Sequence, residues 1–216
     1  MAVIVLAGTI GAGKSSLTKF ISEKLQGAAY YESIEDNEVL PLFYANPQKY
    51  AFLLQIYFLN KRFDSIKQAS SEDNAVLDRS IYEDSLLFHL NADLGRASNE
   101  EVEVYDSLLE NMLEELPQAS FKKNPELLIH IKVSFETMLK RIEKRGRAYE
   151  QLSFDPTLYD YYEELNHRYE KFYENYDQSP KLEIDGDKYN FVEDEAAREI
   201  VWQQIENKLA EIRAKN

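Results

Sequence analysis

Ala2 to Ala7 form an unbroken apolar run of strand length, and Gly8-Thr9-Ile10-Gly11-Ala12-Gly13-Lys14-Ser15 follows without a gap. A run with no polar alternation marks a central parallel strand covered on both faces. The segment after it matches the pattern G-x-x-x-x-G-K-[ST]. Small residues there let the backbone wrap phosphates, while successive N–H groups and a helix N-terminus point at negative charge. Lys14 adds a cation and Ser15 an oxygen for Mg²⁺. Apolar residues then recur at Leu17, Ile21 and Leu25 on a helical period, completing the strand, loop and helix that the mechanism needs. A glycine-rich turn without a ligand would have no use for the Lys14-Ser15 ending. Gly8, Thr9, Ile10, Gly11, Ala12, Gly13, Lys14, Ser15 and Ser16 are therefore candidates for binding a nucleoside triphosphate with Mg²⁺.

The same alternation continues along the chain. Short apolar runs at Ala28 to Tyr31, Ala75 to Leu77, Leu127 to Val133 and Leu182 to Ile184 predict further strands. Between and beyond them, helices are predicted over Pro47 to Ala69, Ile81 to Asn91, Asn99 to Leu116, Phe135 to Lys144, Leu158 to Tyr176 and Glu193 to Arg213. Strands joined by helical crossovers imply an α/β fold, a doubly wound five-stranded parallel sheet flanked by helices. Ser98 with Glu101 three residues on is a capping box, so the third of those helices starts there and runs to Pro117. Leu158, Tyr162, Leu165, Tyr169, Phe172 and Tyr176 fall on one helical face, which reads as an amphipathic helix with a solvated acidic side. Ala197, Val201, Ile205, Leu209 and Ile212 make the last helix structural in the same way.

With 216 residues and 44% apolar composition, the chain can bury a full core, and seven Gly with six Pro leave no flexible join. A single domain over residues 1–216 is expected. The net charge of −14 repels nucleic acid and anionic membranes, so any phosphate site must be a local positive spot. There is no cysteine, which excludes disulfides, a thiolate nucleophile and Cys-ligated zinc. The chain opens into a strand without a leader pattern, so a cytoplasmic location is expected.

Proteins with such a loop include switches and motors. The Asn-Lys pair Asn60-Lys61 is followed by Arg62-Phe63 inside a predicted helix, and Asn207-Lys208 by Leu209-Ala210 in the last one, so the guanine-reading N-K-x-D of a GTPase is missing. The chain is also too short for the helical subdomain of a transporter ATPase. Three carboxylates, Glu32, Asp78 and Asp185, fall at or just beyond strand ends, on the side where open parallel sheets bind ligands. Asp78 suits a Mg²⁺-holding acid, and Arg79 puts a guanidinium beside it. Arg141, Arg145 and Arg147 bring three of the nine arginines into seven residues of a strongly acidic chain. That cluster suits a lid, over about residues 141–151, that closes cations over a transferring phosphoryl group.

Taken together, these segments resemble the deoxyribonucleoside kinases, above all the bacterial deoxyadenosine and deoxyguanosine kinases of lactobacilli. The resemblance covers essentially the whole chain. It rests on the phosphate loop, Tyr31-Glu32-Ser33, Leu42-Phe43-Tyr44, the helix from Gln55 to Arg62, Asp78-Arg79-Ser80-Ile81-Tyr82-Glu83-Asp84, Arg145-Gly146-Arg147 with Glu150-Gln151, and Ile184-Asp185-Gly186-Asp187-Lys188-Tyr189. Two departures stand out. Ser33 replaces a common Pro, which would loosen the turn after Glu32, and Asp78 replaces the Glu of many animal members, which shortens the arm to the metal.

The resemblance implies transfer of the ATP γ-phosphate to the 5'-hydroxyl of a deoxynucleoside. Glu32 matches the residue that accepts the hydroxyl proton, with Asp78 as a competing base better suited to Mg²⁺. Arg79 would brace Glu32, and Arg141, Arg145 and Arg147 match the lid cations. Asp187, with Arg141, matches a position at the ATP site. Tyr44 and Glu150 match the pair that holds the 3'-hydroxyl, the phenol crowding the 2' position. Gln55, Arg62 and Asp84 match the groups that read the base. A Gln amide fits the adenine and cytosine edges and, flipped, that of guanine. Arg62 and Asp84 favour a purine, adenine first and guanine possible, with cytosine as the alternative. Family members are dimers inhibited by end-product triphosphates, so a homodimer or a heterodimer with a paralogue is implied. A non-catalytic ATP sensor would need the loop but not Glu32, Asp78 and the lid arginines together.

Overall fold

In the computed structural model, residues 3–32, 37–119 and 124–215 are described, with backbone only for 116–119. Five strands, β1 (Val3–Ala7), β2 (Ala29–Tyr30), β3 (Ala75–Leu77), β4 (Leu127–Lys132) and β5 (Lys181–Asp185), form one sheet in the order β2-β3-β1-β4-β5. All pairings are parallel, with Ile4 opposite Val76 on one side and Leu127 on the other. The strands lie where the apolar runs put them, and β1 is central.

Both faces of the sheet are covered, which is why its strands read as continuous apolar runs rather than alternating ones. Ile4, Leu6, Ile129 and Ile131 join Leu17 and Ile21 of α1 (Lys14–Leu25) and Val201, Ile205 and Leu209 of α8 (Glu195–Ala214). Val5, Ala7, Leu77 and Leu128 form the opposite face, against Ala69 and Tyr176. A third cluster lies among helices. It joins Leu40 and Phe43 of α2 (Val39–Ala45), Leu54 and Leu59 of α3 (Pro47–Ala69), Phe88 of α4 (Ile81–Asp93) and Tyr105 of α5 (Asn99–Ala119). The remaining helices are α6 (Phe135–Arg145) and α7 (Leu158–Asn175).

Helix α2 has no counterpart among the sequence expectations. Its start is stabilised by the Asn37 side chain, which accepts from the Val39 and Leu40 amides at 2.9 and 3.0 Å. Pro41 sits in its first turn, where amides have no intrahelical partner to lose. Helix α5 runs past Leu116 and Pro117 to Ala119. Its expected capping box is present, since Ser98 N–H donates to Glu101 and Glu101 N–H to Ser98.

Candidate active site

The loop between β1 and α1 turns around glycines that no other residue could replace cheaply. Gly8 has φ +144°, and a Cβ there would lie 2.7 Å from the Ile131 carbonyl oxygen. The loop amides therefore gather at the start of α1, where the helix dipole adds positive potential. Lys14 Nζ donates to the carbonyls of Gly8 at 2.7 Å and Thr9 at 3.0 Å. Burial, reinforced by nearby Arg79, lowers its pKa to about 8, while Glu83, Asp78 and Glu32 oppose the shift. Arg141 stitches the loop to the far side of the sheet, donating to Ala12 O at 3.0 Å and Gly186 O at 2.7 Å.

At the end of β3, Asp78 is buried beside the loop. Its Oδ2 accepts from the Ser15 hydroxyl, and its Oδ1 has no hydrogen-bond partner among the described residues. A hydroxyl and a carboxylate oxygen so placed suit Mg²⁺, which typically takes one or two side-chain oxygens and fills its shell with water and phosphate. The donor set fits that cation.

Next to it, Arg79 adopts φ +132°, a backbone conformation that a side-chain-bearing residue pays about 1–3 kcal/mol to hold. Its Nε lies 3.1 Å from Glu32 Oε1, and Arg62 Nη2 donates to the same oxygen at 2.9 Å. Burial pushes the Glu32 carboxyl up, yet Arg79, Arg62 and Lys14 outweigh it and the pKa is lowered, so Glu32 is ionised. Arg62 also pairs with Asp84, Nε to Oδ2 at 3.3 Å. Burial raises the Asp84 pKa against the pull of Arg62 and Arg79.

A cavity of about 660 Å³ runs from the phosphate loop past Asp78, Arg79 and Glu32 to Gln55. Gln55 lines it, buried, with no hydrogen-bond partner for Oε1 among the described residues. Tyr44 and Glu150 line it together; the Tyr44 ring packs on Tyr149 at 4.8 Å, and burial raises its hydroxyl pKa well above the ordinary value. Arg141, Arg145, Arg147 and Asp187 also line it. Thus Glu32, Tyr44, Gln55, Asp78, Arg79 and Glu150 line one cavity together with the loop.

Six expected residues differ in detail. Asp185 does not line the cavity: its carboxylate folds back onto the amides of Asp187 and Lys188 at 3.1 and 2.9 Å. The Asp187 carboxylate accepts from Ser134 N–H at 2.9 Å, bracing the entry to α6. Arg62 and Asp84 sit behind the lining, paired with each other. Arg145 and Arg147 both donate to Glu150, the latter at 3.4 Å, rather than facing the loop. Ser33 lies outside the described residues.

Sequence reasoning missed Glu83, Tyr161 and Tyr169. Tyr161 lines the cavity, and Tyr169 accepts from Arg79 Nη1 at 3.2 Å, so the tyrosine-rich helix α7 contributes to the site as well as to the core. Glu83 is fully buried, and Gly8 N–H and Ser80 N–H donate to its two oxygens at 3.2 and 2.8 Å. Its signal was present in Ser80-Ile81-Tyr82-Glu83, a capping-box spacing like that of Ser98 and Glu101.

A phosphate loop facing an ionised carboxylate across one cavity, with an arginine between them, is the arrangement of a P-loop phosphotransferase with a donor end and an acceptor end. The sequence profile of the deoxynucleoside kinase family matches residues 4–211, and the chain belongs to that family. It is 63% identical over 212 residues to the deoxyguanosine kinase of Lactobacillus acidophilus, covering 98% of this chain and 92% of that protein. Against the deoxyadenosine kinase of the same organism it is 53% identical over 210 residues, covering 97% of each. The solved structure of deoxyadenosine kinase from M. mycoides with bound dCTP matches with a TM-score of 0.79 at 30% identity, over 95% of this chain and 99% of that one. The chain is an ATP-dependent phosphotransferase acting on deoxynucleosides. Among the described residues no helix is long and apolar enough to cross a membrane.

Proposed function

We propose that this enzyme transfers the γ-phosphoryl group of ATP to the 5'-hydroxyl of a purine deoxynucleoside, forming the monophosphate. The observation that carries the reading is Glu32, an ionised carboxylate held by Arg79 and Arg62 on the cavity wall between the phosphate loop and Gln55. A neutral hydroxyl is a poor nucleophile, and Glu32 accepts its proton as the bond to phosphorus forms. Arg79 orients that carboxylate and shields the incoming charge. Lys14 and the loop amides bind the donor phosphates. Ser15 and Asp78 would hold Mg²⁺, which when bound neutralises charge on the donor phosphates.

At the acceptor end, the orphaned Gln55 Oε1 awaits a base N–H, and Arg62 and Asp84 buttress that wall. Tyr44 and Glu150 hold the sugar. The Glu150 interactions support a lid over about residues 141–151: a sugar hydroxyl on Glu150 competes with Arg145 and Arg147 and frees them for the transferring group. The deoxyguanosine and deoxyadenosine kinases among its relatives support a purine. Gln55 alone fits several base edges; adenine ranks first on the reading of Arg62 and Asp84, and guanine enters through the 63% identical deoxyguanosine kinase. A single domain, a cytoplasmic location and a dimer, of two copies or with a paralogue, complete the proposal; light scattering on the purified chain separates the two dimer types.

The test is a phosphate-transfer panel with the four deoxynucleosides, adenosine, and ATP with Mg²⁺. Deoxyadenosine and deoxyguanosine should exceed both pyrimidines in kcat/KM, and adenosine should trail deoxyadenosine. Thymidine as the preferred acceptor would overturn the roles given to Gln55, Arg62 and Asp84.

A further inference from the structure

Glu83 is a capping residue with an obligation beyond its helix. A capping box at α4 requires only that the carboxylate reach back to Ser80 N–H, which its Oε2 does at 2.8 Å. The other oxygen accepts from the amide of Gly8, the residue that opens the phosphate loop, at 3.2 Å. Gly8 is thus pinned on both sides, its N–H by Glu83 and its carbonyl by Lys14. From α7, the buried Tyr169 hydroxyl accepts from Arg79 Nη1 at 3.2 Å and stands close enough to Glu83 to favour its carboxylate form. Arg79 in turn lies 3.1 Å from Glu32.

These contacts form one unbroken line from the donor loop to the acceptor carboxylate, running Gly8 N–H, Glu83, Tyr169, Arg79, Glu32. Every intermediate member is buried. A buried carboxylate is costly unless its donors are supplied, and the Gly8 and Ser80 amides supply both oxygens of Glu83, which resists displacement of the loop. It also accounts for Arg79 remaining at φ +132°, since such backbone persists only where its surroundings over-determine it.

We propose that Glu83 and Tyr169 are positioning residues that set the phosphate loop in register with Arg79 and Glu32, and so align donor with acceptor for the transfer step. Neither needs to touch a substrate. The inference rests on the reading of Glu32 and Arg79 as the acceptor-side pair.

The variants Glu83→Gln and Tyr169→Phe keep shape and remove hydrogen bonds. A Gln can accept through one oxygen only and must turn its amide toward Gly8 or Ser80, so one of those N–H groups loses its partner. Each variant should lower kcat on the order of tenfold, the loss expected for one hydrogen bond to a charged group, with KM for ATP and deoxynucleoside changed less than about threefold. Because both lie on one line, the double variant should fall no further than the worse single one. Glu101→Gln is the control: Glu101 holds the same capping place on α5, with Ser98 N–H at 2.8 Å and no bond to the loop. It should shift the melting temperature and leave kcat unchanged.

Rates are to be normalised to active sites titrated with ATP. Should Glu83→Gln not fold, Tyr169→Phe alone decides the matter, because its ring and packing remain. Wild-type kcat in Tyr169→Phe, or independent losses that multiply in the double variant, would overturn the inference. An active Glu32→Gln would instead overturn the acceptor-side reading beneath it.

Discussion

His130 on β4 is 1% exposed, stacked on Tyr173 at 5.0 Å, with Nδ1 lacking a hydrogen-bond partner among the described residues. Burial, aided by repulsion from Lys132 and Lys14, lowers its pKa from 6.5 to about 3. The unfolded chain takes up a proton at this residue near pH 6.5, whereas the folded chain refuses it until near pH 3. Stability is therefore full above pH 6.5 and is lost as pH falls toward 3. Between pH 7.5 and 5.0 the loss from this residue alone is about 2 kcal/mol, reaching roughly 5 kcal/mol when the whole interval is crossed. The Glu183 carboxylate, 3.5 Å from Nδ1, would favour the imidazolium and makes these figures upper bounds.

The perturbation is His130→Phe, which keeps an aromatic ring against Tyr173 and removes the titration. Urea unfolding followed by the fluorescence of the single tryptophan, Trp202, should be measured at both pH values and one protein concentration. The wild type should lose about 2 kcal/mol more than the variant on acidification, since other titrating groups cancel in the difference. Equal pH dependence in the two proteins would refute the reasoning, showing that His130 reaches water or a proton acceptor when folded.

Three further outcomes follow from the site and its supports. Glu32→Gln should lower turnover by about 10²- to 10⁴-fold while calorimetry finds ATP affinity nearly intact, because the proton acceptor serves the hydroxyl and not the donor phosphates. Lys14, with a pKa of about 8, loses its charge as pH rises, so kcat/KM for ATP should decline above about pH 8. The limb in kcat should lie higher, since bound phosphates favour the ammonium; a flat kcat/KM profile to pH 10 would contradict the burial of that lysine. Gly27→Ala would place a Cβ 2.0 Å from the Asn74 carbonyl oxygen, a backbone atom that cannot swing aside. A loss of more than about 2 kcal/mol is expected in chemical denaturation, and an unchanged midpoint would mean that the two turns are not in contact.

Much of this protein is legible from local pattern. The phosphate loop depends on residues adjacent in sequence, because a turn conformation and a helix N-terminus are properties of a few consecutive peptides. The strands announce themselves because a sheet covered on both faces demands unbroken apolar runs. The carboxylates at strand ends are partly legible for the same reason: parallel strands bring their C-terminal ends to one edge, so Glu32 and Asp78 had to meet the loop. Asp185 shows the limit, since it reaches the same edge and then turns its Oδ1 onto the amides of the turn that follows it.

What only the tertiary structure decided is how charges are shared. Arg62 could read a base or brace a carboxylate; folding places it between Glu32 and Asp84, where burial makes pairing obligatory. Arg145 and Arg147 could face phosphate or Glu150, and their partner depends on the path of the chain through residues 146–150. Glu83 and Tyr169 carried no distinguishing pattern beyond a cap and a helical stripe, because the contacts that matter to them are 75 and 90 residues away. Sequence periodicity specifies which face of an element is buried, but which buried polar groups find each other depends on the packing of elements distant along the chain.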